Sequence, residues 1–242
     1  MLRHFSIPCG KDVNLCLNIT EPALRAQGLS LTTWASSFVL AGLLHKLSVD
    51  LSSLARIPVL ELGAGTGLVG LTAAALWKSP VILTDLPPIV PGLAANVKLN
   101  AATVKAVVEC GSLDWSNPGT LAIQGGTLYH AEKDKARVIL AADTVYSEEH
   151  PELLSKTILR WLAPGPSSRV ILTYSLRVAY LDQIRELWQL LEKGGLEALH
   201  EGREQAELDI WDDERLCEWS VWGWQRHSTH ADQDRTEHTG DP

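Results

Sequence analysis

Long apolar runs are absent from this 242-residue chain. No stretch reaches the roughly 18 consecutive apolar residues that a membrane-spanning helix needs, so none is expected. The N-terminus lacks a basic segment followed by an apolar one, so no secretory signal is expected. Cysteine pairs are missing too: Cys9, Cys16, Cys110 and Cys217 are scattered, with no C-x-x-C spacing. That pattern points to reduced, mostly buried thiols in a reducing compartment, and no metal site is expected. Basic charge is in deficit. With 21 Lys and Arg against 29 Asp and Glu, the net charge is −8, which argues against a non-specific nucleic-acid binder and is compatible with a basic protein partner. Phenylalanine is scarce, with two residues against nine tryptophans. Large aromatics usually pack, so most of the tryptophans are expected in the core. The length suits one α/β domain with ample core.

What the chain does have is a glycine-rich turn. Ile57 to Leu62 is an apolar run, Gly63, Gly65 and Gly67 follow at alternate positions, and an Ala/Leu-rich run continues to about Trp77. This reads as buried strand, tight turn and helix. Glycine there permits φ > 0 and lets a ligand lie against the backbone. The helix start offers unpaired N–H groups to a polar or anionic ligand. Two cofactors compete. Gly65-x-Gly67-x-x-Gly70 fits the dinucleotide fingerprint, and Asp85 follows Gly65 at about the ~20 residues expected. Counted from the end of the strand, however, the first glycine is Gly63, and the position five residues on is Leu68. The pattern is then Gly-x-Gly-x-Gly with Glu61 two residues ahead of it. It resembles motif I of the class I S-adenosylmethionine (SAM) methyltransferases. A glycine turn with no cofactor is the third reading.

The other elements follow from the same periodicities. Val13, Leu15, Leu17 and Ile19 alternate with Asn14, Cys16 and Asn18, a strand of a small N-terminal sheet. Thr32 or Thr33 is placed to cap a helix that starts near Trp34. Val81 to Asp85 is a second buried strand ending in an acid, where a carboxylate can accept two ribose hydroxyls or cap the next helix. Ile89 to Leu99 is helical. Val104 to Cys110 is a third strand leading to Asp114 and Trp115, a pair that suits adenine: an acceptor for the exocyclic amine and a flat ring for its face. Residues 116–136 are polar and read as a loop insertion, longer than an ordinary βα connection. Val138 to Ala142 is the fourth strand and runs into Asp143 and Tyr146, at the side where a substrate would approach; the alternative is a capping Asp and a packing Tyr. A helix from Pro151 to Leu162, a strand from Val170 to Tyr174 and a helix from Tyr180 to Lys193 follow. Leu196 to His200, Leu208 to Trp211 and Cys217 to Gln225 read as three more strands, the last two joined by an acidic turn at 212–214 into a hairpin. Residues 227–242 read as a disordered polar tail.

The Trp-x-Ser-Ser helix start at Trp34, the LELGAGTGLVG turn from Leu60, Thr84-Asp85-Leu86-Pro87, Leu113-Asp114-Trp115 and Ala142-Asp143-x-x-Tyr146 occur in this order. Together they resemble the seven-β-strand protein-lysine methyltransferases known as family 16, over roughly residues 13–225. The Thr-Trp-x-Ser-Ser start resembles most the fungal branch that modifies translation elongation factors. The resemblance implies an α/β fold of the Rossmann-like class I methyltransferase type: a mostly parallel seven-stranded sheet with helices on both faces and a C-terminal antiparallel hairpin, within residues 1–226. It implies SAM as cofactor. Trp34 would contact it, Gly63, Ala64 and Gly65 would line its amino-acid portion, and Glu61 would shape the turn from below. Asp85 would hold the ribose, Trp115 would pack on adenine with Asp114 near the amine, and Ala142 would lie beside the cofactor. Asp143 and Tyr146 would stand at the target-lysine channel. The implied substrate is a protein, a translation elongation factor or a similar cytosolic one, and the implied location is the cytoplasm, with the nucleus as the alternative. No direct nucleic-acid or membrane partner is expected, and a monomer is the default.

Magnitudes constrain what Asp143 can do. A free carboxylate and a lysine ammonium differ by about 6.5 pKa units, roughly 9 kcal/mol against proton transfer, and burial is not expected to close that gap. Asp143 is therefore read as binding and orienting the ammonium or amine, with the proton leaving through water, and Tyr146 as a ring face for the cationic lysine. A small-molecule methyltransferase would share every cofactor residue. A nicotinamide oxidoreductase and a non-catalytic module that keeps the fold are the other readings.

Overall fold

The computed structural model describes residues 1–11, 13–21, 25–26, 29–30, 32–52, 55–206, 211 and 215–225. The polar tail, the acidic turn at 212–214 and all of the strand expected at 208–211 except Trp211 lie outside them. Two strands open the chain, β1 (Leu2–Gly10) and β2 (Val13–Thr20), paired as an antiparallel hairpin apart from the main sheet. The alternation at Val13 to Ile19 pointed to β2 alone. β1 was hidden by Pro8 and by the shortness of its apolar alternation, in which only Phe5 and Ile7 are buried. A minimal pair, β3 (Arg25–Ala26) and β4 (Leu29–Ser30), precedes α1 (Ala35–Leu43). The helix cap is Trp34 rather than a threonine, and no side chain caps it. The Thr33 hydroxyl is instead 2.9 Å from that of Thr66 in the glycine turn.

The body of the chain alternates strand and helix: β5 (Ile57–Leu62), α2 (Leu68–Trp77), β6 (Val81–Asp85), α3 (Val90–Leu99) and β7 (Val108–Ser112). After β8 (Thr120–Ile123) and β9 (Leu128–His130) come β10 (Ala136–Ala142), α4 (His150–Trp161), β11 (Arg169–Ser175), α5 (Leu181–Lys193), β12 (Leu196–Gln205) and β13 (Leu216–Trp224). Among the described residues the main sheet has nine strands in the order β12-β13-β11-β10-β5-β6-β7-β8-β9. Its five central strands, β11 to β7 in that order, are parallel, and an antiparallel pair closes each edge.

One expectation is corrected. The sheet has nine strands, not seven, because the polar 116–136 segment is not a loop. It folds into β8 and β9, which extend the sheet beyond β7. Its apolar alternation, Leu121 and Ile123, is too short to stand out among prolines, glycines and charges. Gly111 makes the pairing possible, since a Cβ there would lie 2.8 Å from the Ala122 carbonyl oxygen. The Trp161 indole N–H donates to the Pro118 carbonyl at 2.8 Å, tying the segment to α4. The expected C-terminal antiparallel hairpin is present, and among the described residues the strand that pairs with β13 in it is β12. β12 continues past His200 through the largely exposed, charged Glu201-Gly-Arg-Glu-Gln stretch, a composition that keeps an edge strand from pairing with other chains.

Side chains alternate across the central strands. Val59, Val138 and Leu140 pack with α1, α2, α3 and the N-terminal hairpin, whereas Leu60, Leu62, Ile139 and Ala141 pack with α4 and α5. The hairpin is fastened by two asparagines of the α3 region rather than by a strand. Asn96 accepts the Thr20 N–H (2.8 Å) and donates to the carbonyls of Thr20 and Thr66 (both 3.0 Å). Asn100 accepts the Asn18 N–H (2.9 Å) and donates to the Asn18 carbonyl (2.7 Å). The amide side chains thus imitate a neighbouring strand for β2.

Candidate functional site

Strand order reverses between β5 and β10, since β6 and β7 continue to one side of this pair and β11 to the other. A crevice at the C-terminal ends of the strands is expected at such a reversal, and a cavity of about 550 Å³ opens there. Trp34, Gly63, Ala64, Gly65, Asp85, Asp114, Trp115, Ala142, Asp143 and Tyr146 all line it. Residues separated by more than a hundred positions meet because each follows the end of one parallel strand or begins α1.

The glycine turn has the backbone its sequence suggests: φ is +61° at Gly63, +55° at Gly65 and +84° at Gly67. A Cβ on Gly63 would come within 3.0 Å of Thr144 and 3.2 Å of the Trp115 ring, so the indole lies directly against the turn. Asp85 braces it. One carboxylate oxygen accepts the Gly65 N–H at 2.8 Å and the other accepts the Leu86 N–H at 2.7 Å. Burial raises the Asp85 pKa, and those two N–H groups pull it back. Asp114 holds a tight local turn, accepting both the N–H and the hydroxyl of Ser116.

Glu61 is not part of the cavity wall. It lies beneath the turn, buried, with its carboxyl accepting the Gly70 N–H at 2.9 Å. Burial, with a smaller contribution from the Asp85 charge, pushes its pKa up to about 8 against the Gly70 hydrogen bond. Because the folded value lies above the ordinary 4.5, its contribution to stability is complete below about pH 4.5 and is lost as pH rises toward 8. The native protein should lose about 1.4 kcal/mol per pH unit through this group across that window. Glu61→Gln keeps the acceptor and cannot ionise, so urea midpoints taken at pH 5.5 and 7.5 should fall less in the variant. Equal slopes would contradict the assignment.

The β10 side of the crevice is where the structure adds most. Asp143 sits at the end of β10 with φ +58°, an uncommon backbone for a non-glycine residue, and its N–H donates to the Thr173 carbonyl at 2.8 Å. Its carboxylate is gripped end-on by Arg177, whose two terminal nitrogens lie 3.0 and 2.8 Å from the two oxygens. The pair is largely removed from solvent, with 4% exposure for the Asp143 side chain and 17% for that of Arg177. The guanidinium also lies 5.2 Å from the centroid of the Trp34 ring. Arg177 belongs to the segment after β11, the one central strand end whose following residues the sequence reading did not consider. That position was the available signal.

His150, at the start of α4, was also missed. Its Nδ1 accepts the Tyr146 N–H at 3.3 Å, and its ring meets Tyr146 edge-on at 4.2 Å and Trp115 at 5.8 Å between centroids. Burial lowers the His150 pKa, leaving it a neutral acceptor at pH 7. Burial and the charges of Asp85 and Asp143 raise the Tyr146 pKa, so the phenol keeps its proton. None of these groups is set up as a strong base: the carboxylate is paired, the phenol protonated, and the imidazole nitrogen engaged.

Similarity to known proteins agrees with this geometry. The sequence pattern of the family described as lysine methyltransferase matches residues 12–186. Protein-lysine N-methyltransferase EFM2 of Saccharomyces cerevisiae is 34% identical over 228 residues, covering 87% of this chain and 51% of that protein. Protein-lysine N-methyltransferase rrg1 of Schizosaccharomyces pombe is 34% identical over 224 residues, 91% of this chain and 69% of that one. EEF1A lysine methyltransferase 3 of Xenopus tropicalis is 28% identical over 174 residues, 72% of this chain and 68% of that one. The chain therefore spans about half the length of the budding-yeast relative. Among solved structures, magnesium protoporphyrin IX methyltransferase of Synechocystis with bound SAM superposes with a TM-score of 0.50 at 15% identity, over 77% of this chain and 76% of that one, a likeness of fold. With a family pattern running through more than half its length and a fission-yeast relative matched along most of both chains, this chain belongs to the lysine methyltransferase family.

Proposed function

We propose that the chain is a SAM-dependent protein-lysine N-methyltransferase acting on a translation elongation factor or a similar cytosolic protein. The observation that carries the reading is the single crevice that joins a glycine turn braced by Asp85 to an Asp143–Tyr146 wall. The residues present fit the cofactor. The cavity is of the size that holds a cofactor-sized ligand, in the range of ~300–1,000 Å³, and its walls pair aromatic rings with carboxylates. Gly63, Ala64 and Gly65 would hold the amino-acid portion, and Asp85 has lone pairs left on both oxygens for ribose hydroxyls. Trp115 and Asp114 would take the adenine, with Trp34 and Ala142 beside the reacting end. When bound, SAM supplies a methyl group already activated by its sulfonium, so the protein has mainly to align, dry and select the nucleophile. The lysine ammonium gives its proton to water. The neutral nitrogen would take the methyl that bound SAM would supply, with the cofactor's sulfur as the leaving group. Asp143 orients the amine, and Tyr146, stiffened by His150, walls the channel.

The test is incubation with tritiated SAM of recombinant elongation factor 1A and of a fungal lysate, followed by mass spectrometry of labelled bands. Label on a protein lysine is expected. Label confined to the small-molecule fraction would replace this reading with a small-molecule methyltransferase. Asp85→Ala should weaken SAM binding by at least ~10-fold in calorimetry, since it removes both the ribose acceptors and the brace of the turn. Unchanged affinity would place the cofactor elsewhere.

A further inference from the structure

Thr33 does not line the cavity, but its neighbours Thr32 and Trp34 do, and so does Thr66 of the glycine turn. Thr33 is buried. It carries three polar groups, a backbone N–H, a backbone C=O and a hydroxyl, and burial requires a partner for each. Each partner comes from a different part of the chain. The N–H donates to the Glu21 carboxylate, just past β2, at 2.9 Å. The carbonyl accepts the Trp211 indole N–H, 178 positions away, at 3.2 Å. The hydroxyl lies 2.9 Å from that of Thr66. The two outer partners are themselves held. Arg3 of β1 donates to the same Glu21 oxygen at 2.8 Å, and its guanidinium lies 4.8 Å from the Phe5 ring centroid and 5.5 Å from that of Trp211. The Trp211 ring stacks on Phe5 and packs 5.1 Å from Phe38 of α1, centroid to centroid.

We propose that Trp211 and Glu21 are positioning residues for the cofactor: by fixing Thr33 they present Trp34 and Thr66 to the SAM crevice already in place. The proposal rests on the cofactor placement given above. Neither residue lines the cavity, so each acts through Thr33. α1 begins at Trp34 with no side-chain cap, and the bonds of Thr33 set the entry of the chain into the helix instead. If one of them is lost, SAM has to order this corner as it binds, and affinity falls by that cost. The coupling runs both ways. If Trp211 favours the form that binds SAM, bound SAM must hold Trp211 more firmly. A tryptophan that only fastened the N-terminal hairpin would show neither effect.

The test is SAM binding to the full chain by calorimetry, with urea unfolding on the same preparation. Trp211→Phe keeps a ring for Phe5, Phe38 and Arg3 and gives up the N–H, so SAM affinity should fall about fivefold or more, the worth of one hydrogen bond. Glu21→Ala should lose a similar factor. Glu21→Gln keeps an oxygen that accepts from both Arg3 and Thr33, and should stay within about twofold of native. In the native protein, solvent exchange of the Trp211 indole N–H, followed by NMR, should slow about fivefold or more when SAM saturates. That of Trp224, bonded to the Ala163 carbonyl at the opposite end of the sheet, should not. A folded Trp211→Phe variant with native SAM affinity overturns the proposal, even if its urea midpoint drops, since a purely structural residue lowers only the midpoint. So does a native Trp211 N–H that is indifferent to SAM, and this measurement decides even if the variants do not fold. Asp85→Ala separates the proposal from the placement beneath it. If that variant loses SAM affinity and Trp211→Phe does not, the placement stands and the positioning role falls. If neither loses affinity, both fall.

Discussion

Asp143→Ala should lose methyl transfer by at least ~100-fold, the scale seen when an aimed polar group is taken from a reacting centre, while SAM affinity stays within a few-fold. The two parts separate because Asp143 stands on the β10 side of the crevice, and the carboxylate that braces the glycine turn is Asp85. The variant should also be less stable by about 3 kcal/mol, because Asp143 is one half of a mostly buried ion pair. Asp143→Asn keeps the shape and some of the hydrogen bonding, so it should fold better and still fail to turn over. Tritium incorporation, calorimetry with SAM and urea unfolding measure the three quantities on one preparation. Normal turnover in either variant would remove Asp143 from the mechanism. A collapse of SAM binding in the asparagine variant would mean that the two sides of the crevice are not separable.

The second large effect is on stability. Trp161 is fully buried at the end of α4, among Ile139, Leu154 and Leu162 of the layer shared with α5. Its indole N–H is bonded to Pro118. Trp161→Ala should cost about 3–5 kcal/mol. Trp161→Phe keeps most of the packing and gives up the hydrogen bond, so about 1–2 kcal/mol is expected. Hydrogen exchange should quicken first in β8 and β9, because that bond anchors the start of the segment containing them. A loss below 1 kcal/mol for the alanine variant, or unchanged protection of β8 and β9, would contradict this.

The features legible in the sequence share one property: each is written within a few neighbouring residues. The Gly63–Gly67 turn, the apolar runs of β5, β6 and β10, and the acids at the strand ends needed only local periodicity and the rule that strand ends converge. Nothing near Arg177 hints at Asp143, 34 positions earlier. Their meeting depends on β10 and β11 lying side by side in register, Ala142 opposite Thr173. The β8–β9 pair was obscured for a different reason. Its residues have the composition of a loop, and what makes them strands is an open edge at β7 with a glycine where the backbones approach. Glu61 shows a third limit. Its place two residues before the turn was visible, but its protonation depends on how little water reaches it, which no neighbouring residue announces.

The asparagine attachment of β2 has a bearing on the order in which the molecule assembles. The partners that secure Asn18 and Thr20 lie 82 and 76 positions further on, so a growing chain makes β2 before the asparagines that fasten it. Closing a loop of that length carries an entropic cost that must be met before the contacts repay it. The β1–β2 hairpin is accordingly expected to dock after the central strands have formed, which pulse-labelled hydrogen exchange during refolding would show as late protection of β2. Since Asn96 also grips the Thr66 carbonyl, its arrival and the final set of the glycine turn are one event.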